Sequence, residues 1–591
     1  MKQSKQLVED YLGKSDWRVN ENSSCIYSYG GLNKYIASEV MKDYYLHEIY
    51  PDDITEAHYN GLMHIHDLGG LTLYCCGYSL RDILMKGVRG VPNIPVSKPA
   101  KHFDSVLNQL SNLVTVLQNE IMGAVAFNSV DTLLAPFIKV DDLTEDQVKQ
   151  SLQNFIFNIN SNSRIGAEPS FTNCTFDLTP PEDLIDDFCI VGGQLADFTY
   201  RDCQKEMDMF NRAFFEIMLE GDANGKLFSY PIPTYNISNR FDWDNPNNEL
   251  LWEMAGKYGT PYFANFCNSD MDVRDIRSMC CRLSLDLREL KRKNGGLFGA
   301  GDSTGSIGVV TLNMPRLGYL AKGDRNELYS RLDNALDLAK RSLEIKREWL
   351  NANVLNTGLI PAFDEYVGTL DNHFSSIGIL GLNEMCVNFF RNDKMGIKSK
   401  EGKELSVEIC RYIKNKLRDF QEETGNLYNF EYTPAESTCY RLAKKDVEMF
   451  DDIFTQGSGA GVYYTNSCHI PVKEIVSIKD TFDNQDELQA EATGGTVIHI
   501  YMNTGITGRQ AKHIVKTVCQ NYRVPYISIS PISRYCDDHG YIHDEVDVCP
   551  ICGKPLAKYQ RVTGYLRNVA NFNEGKKAEF KERVQLDGST L

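Results

Sequence analysis

Two pairs of soft ligands lie close together near the C-terminus. Cys536 and His539 stand in a C-x2-H spacing, and Cys549 and Cys552 in a C-x2-C spacing. A glycine follows each pair, Gly540 and Gly553, where the backbone must fold under a bound ion. Four sulfur and imidazole donors with no position left open suit a closed, structural zinc site. His543 is the reserve for the fourth ligand. In isolated peptides such binding supplies ~10–16 kcal/mol of folding free energy, enough to pin a tail too small to hold itself. The run Arg561-Val562-Thr563-Gly564-Tyr565-Leu566-Arg567 follows. A lone glycine in such a run ordinarily marks a turn or a close backbone approach.

Three further stretches carry reactive or polar groups. In His64-Ile65-His66-Asp67 the alternation reads as a strand, which puts both imidazoles on one face. The pair suits a substrate pocket or a satisfied structural contact better than a metal site, because no further ligand lies nearby in sequence. Tyr74-Cys75-Cys76-Gly77 follows closely. Cys280-Cys281-Arg282 precedes the Gly-rich stretch 295–308, which lacks the Lys-Ser/Thr of a P-loop and is a weak phosphate signal. In Thr433-Pro434-Ala435-Glu436-Ser437-Thr438, Thr at the N-cap and Pro at the first helical position mark a helix start. A helix N-terminus with hydroxyl neighbours suits phosphate, with plain capping as the alternative.

The run Arg561–Arg567, followed by Asn571-Phe572-Asn573-Glu574-Gly575-Lys576 and Glu579-Phe580, resembles the glycyl-radical motif of the anaerobic (class III) ribonucleotide reductases. The preceding zinc site is like that family's and unlike the related glycyl-radical lyases. The resemblance runs from Trp17 to Phe580, through Trp17-Arg18-Val19-Asn20-Glu21-Asn22, Tyr27–Leu32, the H-x-H-D at His64, the cysteines before Arg282 and His373–Glu384. It implies a ten-stranded α/β barrel with an internal finger loop, plus a small C-terminal zinc-binding tail. It also implies that Gly564 carries a radical, formed when a hydrogen atom leaves its α-carbon. Cys281 becomes the thiyl residue at the finger tip, with Cys280 as neighbour. Cys75 becomes the thiol that delivers hydrogen to substrate, and Cys76 packs in the core on the opposite side. His64, His66 and Asp67, with Thr433, Ser437 and Thr438, become the substrate and phosphate pocket.

The implied reaction is anaerobic reduction of ribonucleoside triphosphates to 2′-deoxyribonucleotides in a homodimer under dNTP and ATP control. The implied partners are a radical S-adenosylmethionine iron–sulfur activase and a reductant, either formate or a thioredoxin-like protein. Ser306 stands where formate-using relatives carry Asn, which weakens formate and puts the dithiol protein on at least equal footing, with Cys468 a candidate relay partner for Cys75. The alternatives are a glycyl-radical lyase or dehydratase and a non-enzymatic zinc-ribbon binding protein. The acidic charge and barrel-length body disfavour the last.

The elements that must position these groups are legible in outline. The chain has 591 residues, 42% hydrophobic and 24% charged, and a net charge of −18. That charge argues against nucleic-acid binding, which needs concentrated Lys and Arg. Seventeen cysteines without a signal peptide point to the reducing cytoplasm, and no apolar run is long enough to span a membrane. We expect an N-terminal helical segment over 1–60 with no ATP-cone ahead of it, a barrel over 61–530 and a zinc and radical domain over 531–591. Val106, Leu110, Leu113, Leu117 and Ile121 mark an amphipathic helix, and dimer and effector helices fall near 104–160. A capping box is expected at Asp53 and Glu56, and barrel strands at Val462–Cys468 and Thr496–His499. Asn383 and Glu384 read as pocket or capping groups.

Overall fold

The computed structural model describes residues 4–14, 27–92, 94–161, 169–268, 303–432, 435–562 and 564–586, with the short strands Ile276–Ser278 and Ser284–Asp286. Trp17–Asn22, Cys280, Cys281, the Gly-rich stretch 295–302 and Thr433 lie outside the described residues.

The main sheet follows a ten-strand path. Its order is Leu427–Glu431, His373–Leu380, Gly305–Asn313, Cys75–Gly77, Val125–Phe127, Thr172–Phe176, Ile232–Ile237, Tyr262–Asn265, Tyr526–Pro531 and Ile498–Met502. From Cys75–Gly77 to Tyr262–Asn265 the neighbours are parallel. The other strands are also parallel to one another where they pair. The two halves meet at antiparallel seams, Cys75↔Ser306 at one and Phe263↔Ile527 at the other. The ends of the path are joined by the segment entering the last strand. Thr493 and Gly494 donate to Phe430 O (3.1 and 2.7 Å), and Tyr432 N donates to Gly495 O (2.9 Å). The result is a barrel without an open edge.

Burial on both faces is what lets these strands be parallel. His373–Leu380 and Leu427–Glu431 are buried at every position. Their outer residues meet helices: Arg347, on helix Arg325–Asn353, donates to His373 O (2.7 Å) and Ser375 Oγ (3.1 Å). Their inner residues differ in kind, since Phe374 and Leu427 pack with Cys75 while Ser376 meets Ser306. Helix Phe103–Leu117 buries Val106, Leu110, Leu113 and Leu117 as its periodicity requires, each worth about 1.5–3 kcal/mol of transfer free energy. Among the described residues no helix is long and apolar enough to cross a membrane.

Beyond Pro531 the chain runs directly into a four-stranded antiparallel sheet, ordered Gly540–Ile542, Ser533–Cys536, Ala557–Arg561 and Leu566–Asn568. Helix Glu574–Glu582 closes the C-terminal region.

Some local expectations fail for identifiable reasons. The helix at Asp52–Asn60 has Pro51 at its N-cap and no side-chain cap, so the box at Asp53 and Glu56 does not form. The helix expected from Pro434 begins at Glu436, with Ala435 at the N-cap. Asn466 Oδ1 accepts from the Ala435 N–H (2.9 Å), and Ala435 offers no side-chain cap. Residues 462–468 are not a barrel strand. The Tyr464 N–H goes to Cys439 O and Thr465 O accepts from Gly381 N. Glu384 accepts from the Thr465 amide (3.0 Å) and hydroxyl (2.7 Å), so it staples this loop.

Candidate functional site

Gly564 lies in the turn of a hairpin. Strands Ala557–Arg561 and Leu566–Asn568 pair in the register Arg561↔Leu566, and Val562 N donates to Tyr565 O (3.1 Å). The Gly564 backbone is buried. Its carbonyl accepts from the phenol of Tyr262, on the barrel strand beside the second seam, and from Arg561 Nη1 at 3.5 Å. Arg561 is 2% exposed and stacks over the Tyr262 ring at 3.9 Å. Its guanidinium also donates to Tyr262 Oη, Gly259 O and Thr260 O (2.8 Å). An arginine stays charged when buried, and four hydrogen bonds from its two terminal nitrogens to convergent oxygens suit a rigid clamp.

A second clamp grips the hairpin from the C-terminal end. Arg583 donates to Arg561 O (2.9 Å), Val562 O (3.0 Å) and Glu579 Oε1 (2.7 Å), and lies over the Tyr501 ring at 4.2 Å. Burial alone would raise the Glu579 carboxyl, but Lys576 and Arg583 more than offset it and hold it below its ordinary value. A third tie is the buried pair Arg567–Glu436 (3.7 Å), which links the hairpin to the N-terminus of helix Glu436–Met449. Burial, then the Glu436 carboxylate, pushes the Tyr565 phenol well up.

Cys75 faces the barrel interior. It is 1% exposed and clusters with Ala124, Ala126, Phe374 and Leu427, with Tyr74 and Phe171 at the edge. Its sulfur accepts from Ala124 N (3.3 Å), and any side chain at Gly123 would collide with it. Phe171 in turn meets the Tyr565 ring edge-on at 6.4 Å. An aromatic contact therefore joins the Cys75 surroundings to the residue following Gly564. Ser306, directly opposite Cys75, shares a 3.0 Å hydrogen bond with Ser376. Cys76 points into the main core, where burial raises its thiol. Cys468 also lies in the main core, with Gln489 Nε2 on its sulfur at 3.3 Å. The structure does not bring it into the Cys75 cluster.

His64 stands on strand Met63–Ile65, which pairs with the far end of Gly305–Asn313, and His66 follows directly after it. The rings of His64 and His66 meet edge-on at 4.6 Å. His66 Nε2 is 2.8 Å from Thr311 Oγ1, and Asp67 ends the run at a φ of +53°. Burial, followed by His66 and Arg441, drives the His64 imidazole well below its ordinary value, so it is neutral. Arg441, on the same helix as Ser437 and Thr438, lies 3.1 Å from His64 Nδ1. That helix joins the two stretches expected to form the pocket. Arg441 falls three and four residues after Thr438 and Ser437, a same-face spacing that could have found it.

Cys536, His539, Cys549 and Cys552 converge, with all four donor atoms within 4.8 Å of one another. Cys536 Sγ lies 3.6 Å from His539 Nδ1 and 3.7 Å from Cys552 Sγ, and Cys549 Sγ is 3.6 Å from His539 Nδ1. A zinc tetrahedron with the usual Zn–S bonds has ligand–ligand edges of about 3.8 Å, so this donor set fits the ion. His543 packs on Tyr541 instead (4.7 Å).

Comparisons with known proteins agree with this geometry. Residues 20–586 match the family model described as anaerobic ribonucleoside-triphosphate reductase. The chain is 25% identical to the Haemophilus influenzae protein of that description, over 93% of this chain and 81% of the relative. It is 23% identical to that of Enterobacteria phage T4, over 94% and 93%. In fold it is similar to the anaerobic ribonucleotide reductase from Thermotoga maritima with dATP bound in the specificity site. That match has a TM-score of 0.76 and 20% identity, covering 96% of this chain and 94% of the other. With the hairpin glycine, the barrel thiol and the Cys3His cluster in place, the match over nearly the whole chain means that it belongs to the anaerobic ribonucleoside-triphosphate reductase family.

Proposed function

We propose that this enzyme reduces ribonucleoside triphosphates by passing a hydrogen-atom vacancy from Gly564 into the barrel. The reading is carried by one observation: the carbonyl of Gly564 is hydrogen-bonded to Tyr262 in the barrel wall, while Tyr565 reaches the cluster around Cys75 through Phe171. A radical S-adenosylmethionine activase removes one hydrogen atom from the Gly564 α-carbon. The Cys281 thiol then gives a hydrogen atom to Gly564, and its thiyl takes the 3′ hydrogen of the ribose. The 2′ hydroxyl leaves as water as Cys75 supplies hydrogen. The 3′ position regains its hydrogen from Cys281, and the reductant supplies two electrons and two protons overall. Each hydrogen-atom step needs near van der Waals contact, so positioning supplies much of the rate.

His64, His66, Asp67 and the segment Thr433–Thr438 hold the substrate, with neutral His64 and cationic Arg441 at the phosphate end. A dNTP bound near helices Phe103–Leu117 and Glu145–Ile159 sets substrate choice in a homodimer. Zinc held by Cys536, His539, Cys549 and Cys552 cross-links the sheet that presents the hairpin. The reductant is a dithiol protein, supported by Ser306 opposite Cys75. The placement of Cys468 in the main core, outside the Cys75 cluster, speaks against it as the relay. Anaerobic activation followed by product analysis with a ribonucleoside triphosphate, with formate and a reduced thioredoxin-like protein in separate reactions, tests the reading. Deoxynucleotide formed only with the dithiol protein is the expected result, and formate-dependent turnover contradicts the choice of reductant.

A further inference from the structure

The radical hairpin also forms one wall of a second cavity, outside the barrel interior. This solvent-open cleft lies between the turn Gly225–Ser229, the Cys/His module and the hairpin. Tyr230, Tyr535, Tyr541, Tyr559 and Tyr565 line it, a density of rings suited to stacking on a planar ligand. Two hydroxyls in its lining are unusual. Thr260 and Ser533 are only 8% and 3% exposed, and neither side-chain oxygen has a hydrogen-bond partner among the described residues. Buried hydroxyls are nearly always paired, so this pair marks a place where a polar group from elsewhere belongs.

Charge narrows the class of ligand. Of the two cations lining the cleft, Arg561 has its terminal nitrogens engaged by Gly259 O, Thr260 O, Tyr262 Oη and Gly564 O, and Lys226 is exposed. A phosphate would find no buried cation at liberty here. We infer that the cleft binds a neutral, planar, hydrogen-bonding ring compound, stacked among the tyrosines and held by the Thr260 and Ser533 hydroxyls. Tyr565 and Leu566 belong to the hairpin, so an occupied cleft favours the docked hairpin by mass action. That consequence rests on the proposed role of Gly564, whereas the binding itself does not.

The test uses the full, zinc-loaded chain with adenosine as probe and AMP as its charged counterpart. A ribonucleoside triphosphate and a deoxynucleotide are present in excess to fill other nucleotide sites. Calorimetry should show one saturable adenosine site per chain, with AMP weaker. Thr260→Val and Ser533→Ala should each weaken adenosine about 3- to 10-fold, the range of one neutral hydrogen bond. Ser229→Trp, in an exposed part of the turn, should fill the cleft and abolish binding. Adenosine should also slow amide exchange at Tyr565 and Leu566 in the native chain but not in Ser229→Trp. Absence of saturable binding, or binding that survives Ser229→Trp, overturns the inference. If Thr260→Val fails to fold, Ser533→Ala and Ser229→Trp decide it.

Discussion

Tyr262 and Gly564 are 302 residues apart in sequence, yet the phenol of one donates to the carbonyl of the other. The contact joins a barrel strand to the turn of a hairpin that belongs to a separate small sheet. A glycine in a hairpin turn would otherwise be free to fray. Here its carbonyl is fixed by a phenol and a guanidinium, and its flanking backbone is fixed by Arg583.

Tyr262→Phe removes that donor and leaves a buried carbonyl to Arg561 alone. The loss of one buried partner costs about 1–3 kcal/mol, so the hairpin should open roughly 10- to 100-fold more often. Amide exchange at Val562, Gly564 and Tyr565 should report the change while exchange in the barrel strands stays put. Uniform acceleration across the chain would mean that Tyr262 serves global stability instead.

The Glu579 clamp gives a pH dependence of definite sign. Its carboxyl titrates lower in the folded chain than its ordinary 4.5, so its stabilising contribution is complete above pH 4.5 and fades as the pH falls through the folded value. Exchange in the hairpin of the native chain, taken relative to the intrinsic amide rate at each pH, should accelerate on acidification below 4.5. Glu579→Gln should be fast already at neutral pH and should lose that acid dependence. A native profile flat in that window would remove the ion pair from the clamp.

His64 behaves in the same sense, being held neutral by burial and by His66 and Arg441. Its folded value lies below 6.5, so the stability it contributes is present above pH 6.5 and lost as the pH falls below it. An imidazole resonance that stays neutral at pH 6.5 is the expected signature. A resonance half titrated at 6.5 would contradict the buried, Arg441-facing placement.

The two adjacent cysteines should separate cleanly. Cys75→Ser should leave nucleotide binding and the radical intact while stopping deoxynucleotide formation. Cys76→Ala should cost stability, on the order of 1–2 kcal/mol for the lost packing, and keep most turnover. The reverse pattern would exchange their roles.

What could be read beforehand was local. The zinc donors come in two pairs with three-residue steps, and each step is set by its own turn, so spacing sufficed. Strand alternation put Cys75 and Cys76 on opposite sides, while the choice of Cys75 as the inward thiol came from the family resemblance. Non-local pairing was not legible: nothing in the sequence says that Tyr262 will meet Gly564, or that Ser306 will stand across from Cys75. Residues 462–468 misled because Val462, Tyr463 and Tyr464 have strand propensity, while tertiary bonds to Glu384, Gly381 and Cys439 claim their backbone. The helix begins at Glu436, and the bond that fixes the Ala435 N–H just before it comes from Asn466, which is distant in sequence and not legible locally.

The most direct test of the account is electron paramagnetic resonance of the anaerobically activated enzyme. One hydrogen remaining on the Gly564 α-carbon should split the signal into a doublet. Protein grown on α-deuterated glycine should collapse that doublet to a single line, and Gly564→Ala should show no signal and form no deoxynucleotide. A signal unchanged by deuterated glycine, or turnover that survives Gly564→Ala, would place the radical elsewhere and contradict the account.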